Sequence, residues 1–290
     1  MNIPMYKTAR AFRDQFRQGN VFSEELAGTV RDIINTVREG GDGKVLEFTR
    51  KFDGVDRTRL AVEPHEWDQT AEVEADVPDL CKQAARNIRR FHVRELQDCE
   101  SWDLEQKDAR VGQRVTPLER VGVYVPGGTA AYPSSVLMNV IPAQVAGVRE
   151  IALVSPPSRE TGQVNALVLT AARLLGVEEV YAIGGAQAVA AMAYGTESIR
   201  PVDKITGPGN QYVNEAKRQV FGQAGIESLA GPSEIVVLAD DSADPAYLAA
   251  DLLSQAEHDF QARAILITAD QDLLEATESE LIRQLDSLPR

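Results

Sequence analysis

The stretch Arg120-Val-Gly-Val-Tyr-Val-Pro-Gly-Gly128 decides how the rest of the chain is read. Val121, Val123, Tyr124 and Val125 favour extended backbone, and the Pro-Gly-Gly that follows turns the chain. Together they predict a short strand running into a loop. Downstream the texture alternates: a predicted helix at 134–146, strand 151–155, helix 164–175, strand 179–183, helix 186–194, strand 204–206 and helix 211–221. A strand at 234–239, a helix at 245–257, a strand at 264–268 and a closing helix at 273–288 complete it. Such alternation implies an α/β fold with parallel strands and right-handed crossovers. Upstream, Leu26, Val30, Ile33, Ile34 and Val37 recur at helical spacing, and Gly-Asp-Gly at 41–43 ends that helix before a second at 44–52. A longer helix is predicted over 74–96, with Arg86, Arg89, Arg90 and Arg94 on a solvated face.

The length, 290 residues, suits about two domains at roughly 150 residues each. Apolar residues make up 43% and charged residues 26%, the balance of an ordinary globular protein. With 44 acidic against 30 basic side chains the formal charge is −14, which repels phosphate backbones and anionic lipid, so neither nucleic acid nor a membrane surface is an expected partner. Cys81 and Cys99 are too few and too far apart for a CxxC pair or a thiolate zinc site. The first residues lack the apolar core of a signal peptide, and the most apolar stretch, 136–148, is broken by Asn139, Pro142 and Gln144. A cytoplasmic location is expected.

Four loops rich in glycine and polar residues lie at the ends of predicted strands: PGGTAAYPSS at 126–135, GGAQA at 184–188, GPGN at 207–210 and AGPSE at 230–234. Parallel sheets bind ligands at the carboxyl ends of their strands, where helix amino termini and loop amides converge. Glycine and proline also simply punctuate such turns, and each single loop is open to either reading. The dinucleotide fingerprint GxGxxG and the lysine-bearing phosphate loop are both absent. GxSxG is absent too, and the histidines are His65, His92 and His258, of which the first two lie in charged stretches and are expected at the surface. Gln255 and His258, three apart near the end of a predicted helix, share a face and suit either a metal or a solvated helix end.

In order and spacing these motifs resemble histidinol dehydrogenase. The residues that carry the likeness are RVGVYVPGGTAAYPSSVLMNVIPAQVAGV, VYAIGGAQAVAAMAYGTESI, VDKITGPGNQYVNEAKRQVFG and AGPSEIVVLAD followed by DLLSQAEHD. The resemblance covers essentially the whole chain and is most specific from Arg120 to Asp259. It implies NAD-dependent, zinc-assisted oxidation of L-histidinol to L-histidine through L-histidinal, in a homodimer when full length. By motif match, Tyr124, Gln187 and Asn210 become cofactor contacts. Ser233, Gln255 and His258 become substrate contacts, the last two also zinc ligands.

The implied fold is two incomplete Rossmann-like domains, the second inserted into the first. An arm at 1–21 precedes a zinc and substrate domain at 22–123 and 232–290, with an NAD-binding domain at 124–231. The family's acid/base pair, an adjacent glutamate and histidine, and its two other zinc ligands match nothing up to Arg290. No catalytic residue is therefore assigned, and the 290 residues alone are expected to be inactive, with uncovered apolar helix faces and an open sheet edge. The alternative is a non-catalytic NAD-binding or partner-complemented module. A third reading, an unrelated short dehydrogenase, would need His65 or His92 as its base.

Overall fold

A computed structural model describes residues 4–6, 8–15, 23–127, 132–229, 233–257 and 262–288. The chain forms two compact units, Phe22–Leu229 and Met1–Val21 with Ala230–Arg290. The expected boundary at 124 falls inside the first of these.

Helix α1 is Ala9–Gln15, and α2 is Glu24–Phe48, started by the Ser23 hydroxyl accepting from the Leu26 N–H. Gly41, at φ 53° and ψ −143°, breaks α2 at the predicted Gly-Asp-Gly turn. A π-helical turn, Thr49–Asp53, and a 3-10 helix, Pro64–Glu72, lead to α3, Val77–Leu96. Its four arginines are exposed, as expected of a solvated face. Next come β1 (Trp102–Gln106) and β2 (Ala109–Gln113), an antiparallel hairpin that the sequence pattern does not reveal. Every residue of both strands is exposed, so no burial alternation marks them.

The strand that opened the reading is β3, Arg120–Tyr124, buried at every position. There follow α4 (Pro133–Val145), β4 (Glu150–Ser155), α5 (Ala166–Leu174), β5 (Glu179–Ala182), α6 (Gly185–Tyr194), β6 (Lys204–Thr206), α7 (Gln211–Val220) and the two-residue β7 (Gly225–Ile226). These strands form one parallel sheet in the order β5-β4-β3-β6-β7. One face is covered by α2, α6 and α7, the other by α3, α4 and α5, each over its own apolar cluster. Alanines let α6 lie close, and Gly122 of β3 leaves room beneath it, since a Cβ there would stand 2.5 Å from the Met192 sulfur and push that side chain aside.

In the other unit β8 (Glu234–Ala239) pairs in parallel with β9 (Arg263–Thr268), and α8 (Pro245–Ala256) and α9 (Gln271–Leu285) pack with them. Val236 is 57%, Leu238 80% and Ile267 51% exposed, so this two-stranded sheet leaves apolar surface uncovered. Among the described residues no helix is long and apolar enough to cross a membrane.

Candidate functional site

Reading outward from β3, the five-stranded sheet goes one way through β4 and β5, then the other through β6 and β7. The order reverses between β3 and β6, and a ligand crevice belongs at the carboxyl ends of those two strands. Tyr124 ends β3, and Gly207, at φ 117°, follows β6 so closely that a side chain there would strike the Tyr124 carbonyl. Pro156, just past β4, is wedged between two glycines: a Cβ on Gly127 or on Gly184 would come within 2.6 Å of its ring. Glycines of three of the four loops are thus held in close contact, two against the Pro156 ring and one against the Tyr124 carbonyl, which is a reason for glycine beyond turn punctuation.

Tyr124 is buried, and its hydroxyl accepts from the Gly185 N–H at 3.1 Å. Burial pushes the phenol up to about 12, with the Gly185 contact pulling the other way and the Asp53 charge adding to the rise, so it remains protonated at any physiological pH. Gly185, at φ 64°, begins α6, whose amino terminus has no side-chain cap. Gln187, in the first turn, is 1% exposed; its Oε1 folds back over Gly185 and its Nε2 is buried without an acceptor among the described residues. Uncapped helix N–H groups and an orphaned amide donor together suit an oxyanion or other acceptor.

Asn210 does a different job. Its side chain accepts from the N–H groups of Tyr212 and Val213 and so caps α7. The loop ahead of it is held by Lys217, 1% exposed, whose Nζ donates to the Gly207 carbonyl at 3.0 Å and to Glu227 at 2.6 Å. Glu227 also accepts from the Gly207 N–H at 2.9 Å. Sequence reasoning missed this pairing of a buried lysine with a partly exposed glutamate, and also Ser155 and Thr206 at the ends of β4 and β6, whose hydroxyls are buried without partners among the described residues. Ten residues separate Lys217 from Glu227, so only the fold reveals that they meet.

Ser233, exposed, stands just before β8, and its carbonyl accepts from the Arg263 N–H at 3.4 Å. Gln255 lies in the last turn of α8 with its Nε2 buried and unpartnered among the described residues. His258 lies outside the described residues. Zinc takes four donors, and no group of three or more His, Cys, Asp or Glu that could hold a metal occurs among the described residues. They do not make up a zinc site by themselves, and no chemical step is derived through the metal. His65 is exposed as expected; His92 is not, its side chain being 18% exposed beside Phe91 with Nδ1 2.7 Å from Glu95. Helical spacing of three brings Glu95 over that ring.

A family model described as histidinol dehydrogenase matches residues 17–290. The chain belongs to the histidinol dehydrogenase family. A histidinol dehydrogenase of Geobacillus kaustophilus is 56% identical over 270 residues, covering 92% of this chain and 63% of that protein. One from Listeria monocytogenes is 53% identical over 269 residues, covering 92% and 62%. The crystal structure of histidinol dehydrogenase from Elizabethkingia anophelis superposes with a TM-score of 0.85 at 36% identity, covering 97% of this chain and 65% of that one. The chain therefore spans less than two thirds of the length of these histidinol dehydrogenase relatives. It shares their α/β fold, and theirs is a family of oxidoreductases of histidine biosynthesis.

Proposed function

We propose that the chain carries the dinucleotide-binding portion of a cytoplasmic histidinol dehydrogenase, which oxidises L-histidinol to L-histidine through L-histidinal with NAD and zinc as a homodimer. The observation that supports it most is the crevice at the carboxyl ends of β3 and β6, where the unpartnered Gln187 Nε2 lies beside the Tyr124 phenol and the amino terminus of α6. Tyr124 offers a neutral phenol fixed by the Gly185 N–H. Gln187 offers Nε2 to an acceptor oxygen, and the amino terminus of α6 favours the negative charge of a pyrophosphate. Asn210 shapes the crevice wall by fixing α7, leaving its amide nitrogen for the cofactor. When bound there, NAD would supply the hydride acceptor for oxidation at the carbinol carbon.

Ser233, Gln255 and His258 are the proposed substrate contacts, with Gln255 and His258 contributing to zinc alongside donors beyond the described residues. Positioning of the carbinol carbon is what such contacts supply. The test is calorimetry of the 290-residue chain with NAD, paired with an assay for NADH from L-histidinol. Binding without turnover is the expected result, because no residue is assigned as the base that takes the alcohol proton. Gln187→Ala should weaken NAD binding about tenfold, the loss of one buried hydrogen bond to a charged group. Absence of any heat at millimolar NAD would remove the proposal.

A further inference from the structure

In the doubly wound fold an acidic residue some 20 residues past the glycine turn takes the hydrogen of the nucleotide ribose. The strand next to β3 is β4, and it ends in Ser155, buried, with an unpartnered hydroxyl instead of a carboxylate. A carboxylate nevertheless reaches this place from upstream. Residues 60–62 run antiparallel beside β5, with the Leu60 carbonyl accepting from the Ala182 N–H at 2.8 Å at the strand's carboxyl end. The segment just before them therefore crosses the carboxyl end of the sheet.

That segment is pinned to the loop after β4. Arg159 Nη2 donates to the Phe52 carbonyl at 3.0 Å, and Arg57 Nη1 donates to the Gly162 carbonyl at 2.8 Å. Arg57 is itself gripped by both oxygens of the buried Glu66 at 2.8 and 2.9 Å. Between these anchors stands Asp53, with Gly54 at φ 72° turning the chain behind it. Its Oδ2 is buried with no donor among the described residues, and its charge is felt by the Tyr124 phenol at the end of β3.

We propose that Asp53 is the ribose-binding carboxylate of this crevice and the residue that selects a dinucleotide with a free 2′-hydroxyl over one with a 2′-phosphate. The inference rests on the dinucleotide reading above and deepens it. A half-buried carboxylate without a donor is costly to the fold, and a ribose diol supplies the missing O–H donors. A 2′-phosphate brought to the same oxygens sets like charge against like charge. Arg159, whose guanidinium pulls against the upward push that burial gives the Asp53 carboxyl, then stands ready to favour a phosphate once the carboxylate is removed.

Calorimetry of the 290-residue chain with NAD, NADP and adenosine diphosphate ribose tests this, on the unsubstituted protein and on Asp53→Ser and the near-isosteric Asp53→Asn. The unsubstituted chain should bind NAD and adenosine diphosphate ribose at least tenfold more tightly than NADP. Both variants should lose about tenfold for the first two and hold or gain affinity for NADP, so that the preference collapses. The affinity ratio is independent of the folded fraction, so partial unfolding cannot imitate that result. An unchanged ratio in both variants overturns the role of Asp53 while leaving the dinucleotide site standing. Failure of all three ligands to bind the unsubstituted chain overturns the dinucleotide reading and this inference with it.

Discussion

The two units bury parallel strands to very different depths. In Phe22–Leu229 helices cover both faces of five strands, and β3 and most of β4 and β5 are buried. In the unit built on β8 and β9, Val236 and Leu238 share a face with their register partners Ile265 and Ile267, and three of these four are exposed. Yet EIVVLA and RAILIT are as rich in strand-forming residues as RVGVY. Local sequence makes the strand in both places, whereas the number of covering layers determines how much stability the strand returns.

The largest consequence concerns independence. Residues 22–229 expressed alone should unfold in urea in one cooperative transition. Residues 230–290 alone should show none, because about 60 residues with two strands bury too little apolar surface to hold together. A sigmoidal transition in the shorter piece would break the comparison.

A smaller effect sharpens it inside the first unit. Arg120, its side chain 6% exposed, donates to Glu179 through both Nη1 (2.7 Å) and Nη2 and to Glu150 at 3.2 Å, and Tyr181 adds a bond to Glu179 at 2.7 Å. This cluster ties the amino ends of β3, β4 and β5 together. Arg120→Ala takes the guanidinium from Glu179, which keeps only the Tyr181 hydroxyl, while Glu150 keeps Arg200, and with both carboxylates partly exposed it should cost about 2 kcal/mol. Both tryptophans, Trp67 and Trp102, lie in Phe22–Leu229, so their fluorescence follows this unit selectively. A cost below about 1 kcal/mol would show that solvent replaces the network.

Elements framed by glycine and proline were legible in advance. Strands β6 and β8 occupy the residues their pattern marks, and the break at Gly41 falls where Gly-Asp-Gly predicts it. Hairpin β1–β2 was not legible, because with both faces in solvent it carries no period of two. The site divides in the same way. Tyr124 and Gln187 stand next to glycine-rich turns that announce themselves by composition, whereas Asp53, Ser155 and the Lys217–Glu227 pair matter through burial and through partners distant in sequence. The family resemblance implies a cofactor contact at Asn210; its position before a helix also signals the cap it makes, a role that residue type alone foretells.

Asp53 also gives a pH signature. Burial pushes its carboxyl up to about 6, with Arg159 pulling the other way, against an unfolded value of about 4. Between those values the folded chain holds a proton that the unfolded chain has released, so stability is highest below about pH 4 as far as this group is concerned and is lost as pH rises to about 6. Because the side chain is only half-buried, about 1 kcal/mol is the expected size. Asp53→Asn has no such titration, and its urea midpoint should fall less than that of the unsubstituted chain between about pH 4.5 and pH 7. Parallel profiles would show a fully solvated carboxylate.

The smallest effect on stability tests the bare sheet face. Leu238, 80% exposed, has little burial to lose, so Leu238→Lys should shift stability by no more than about 0.5 kcal/mol. Charge placed among Val236, Ile265 and Ile267 should nevertheless disfavour association through that face. Light scattering over a concentration series would then show a lower mean mass for the variant than for the unsubstituted chain at equal urea midpoint. The opposite pattern, a lower midpoint with unchanged mass, would mean that Leu238 is buried in solution and that the second unit is better covered than its exposed strands imply. The contrast between the units would then lie in strand number alone, and the excision experiment would be expected to show a weak but cooperative transition for residues 230–290.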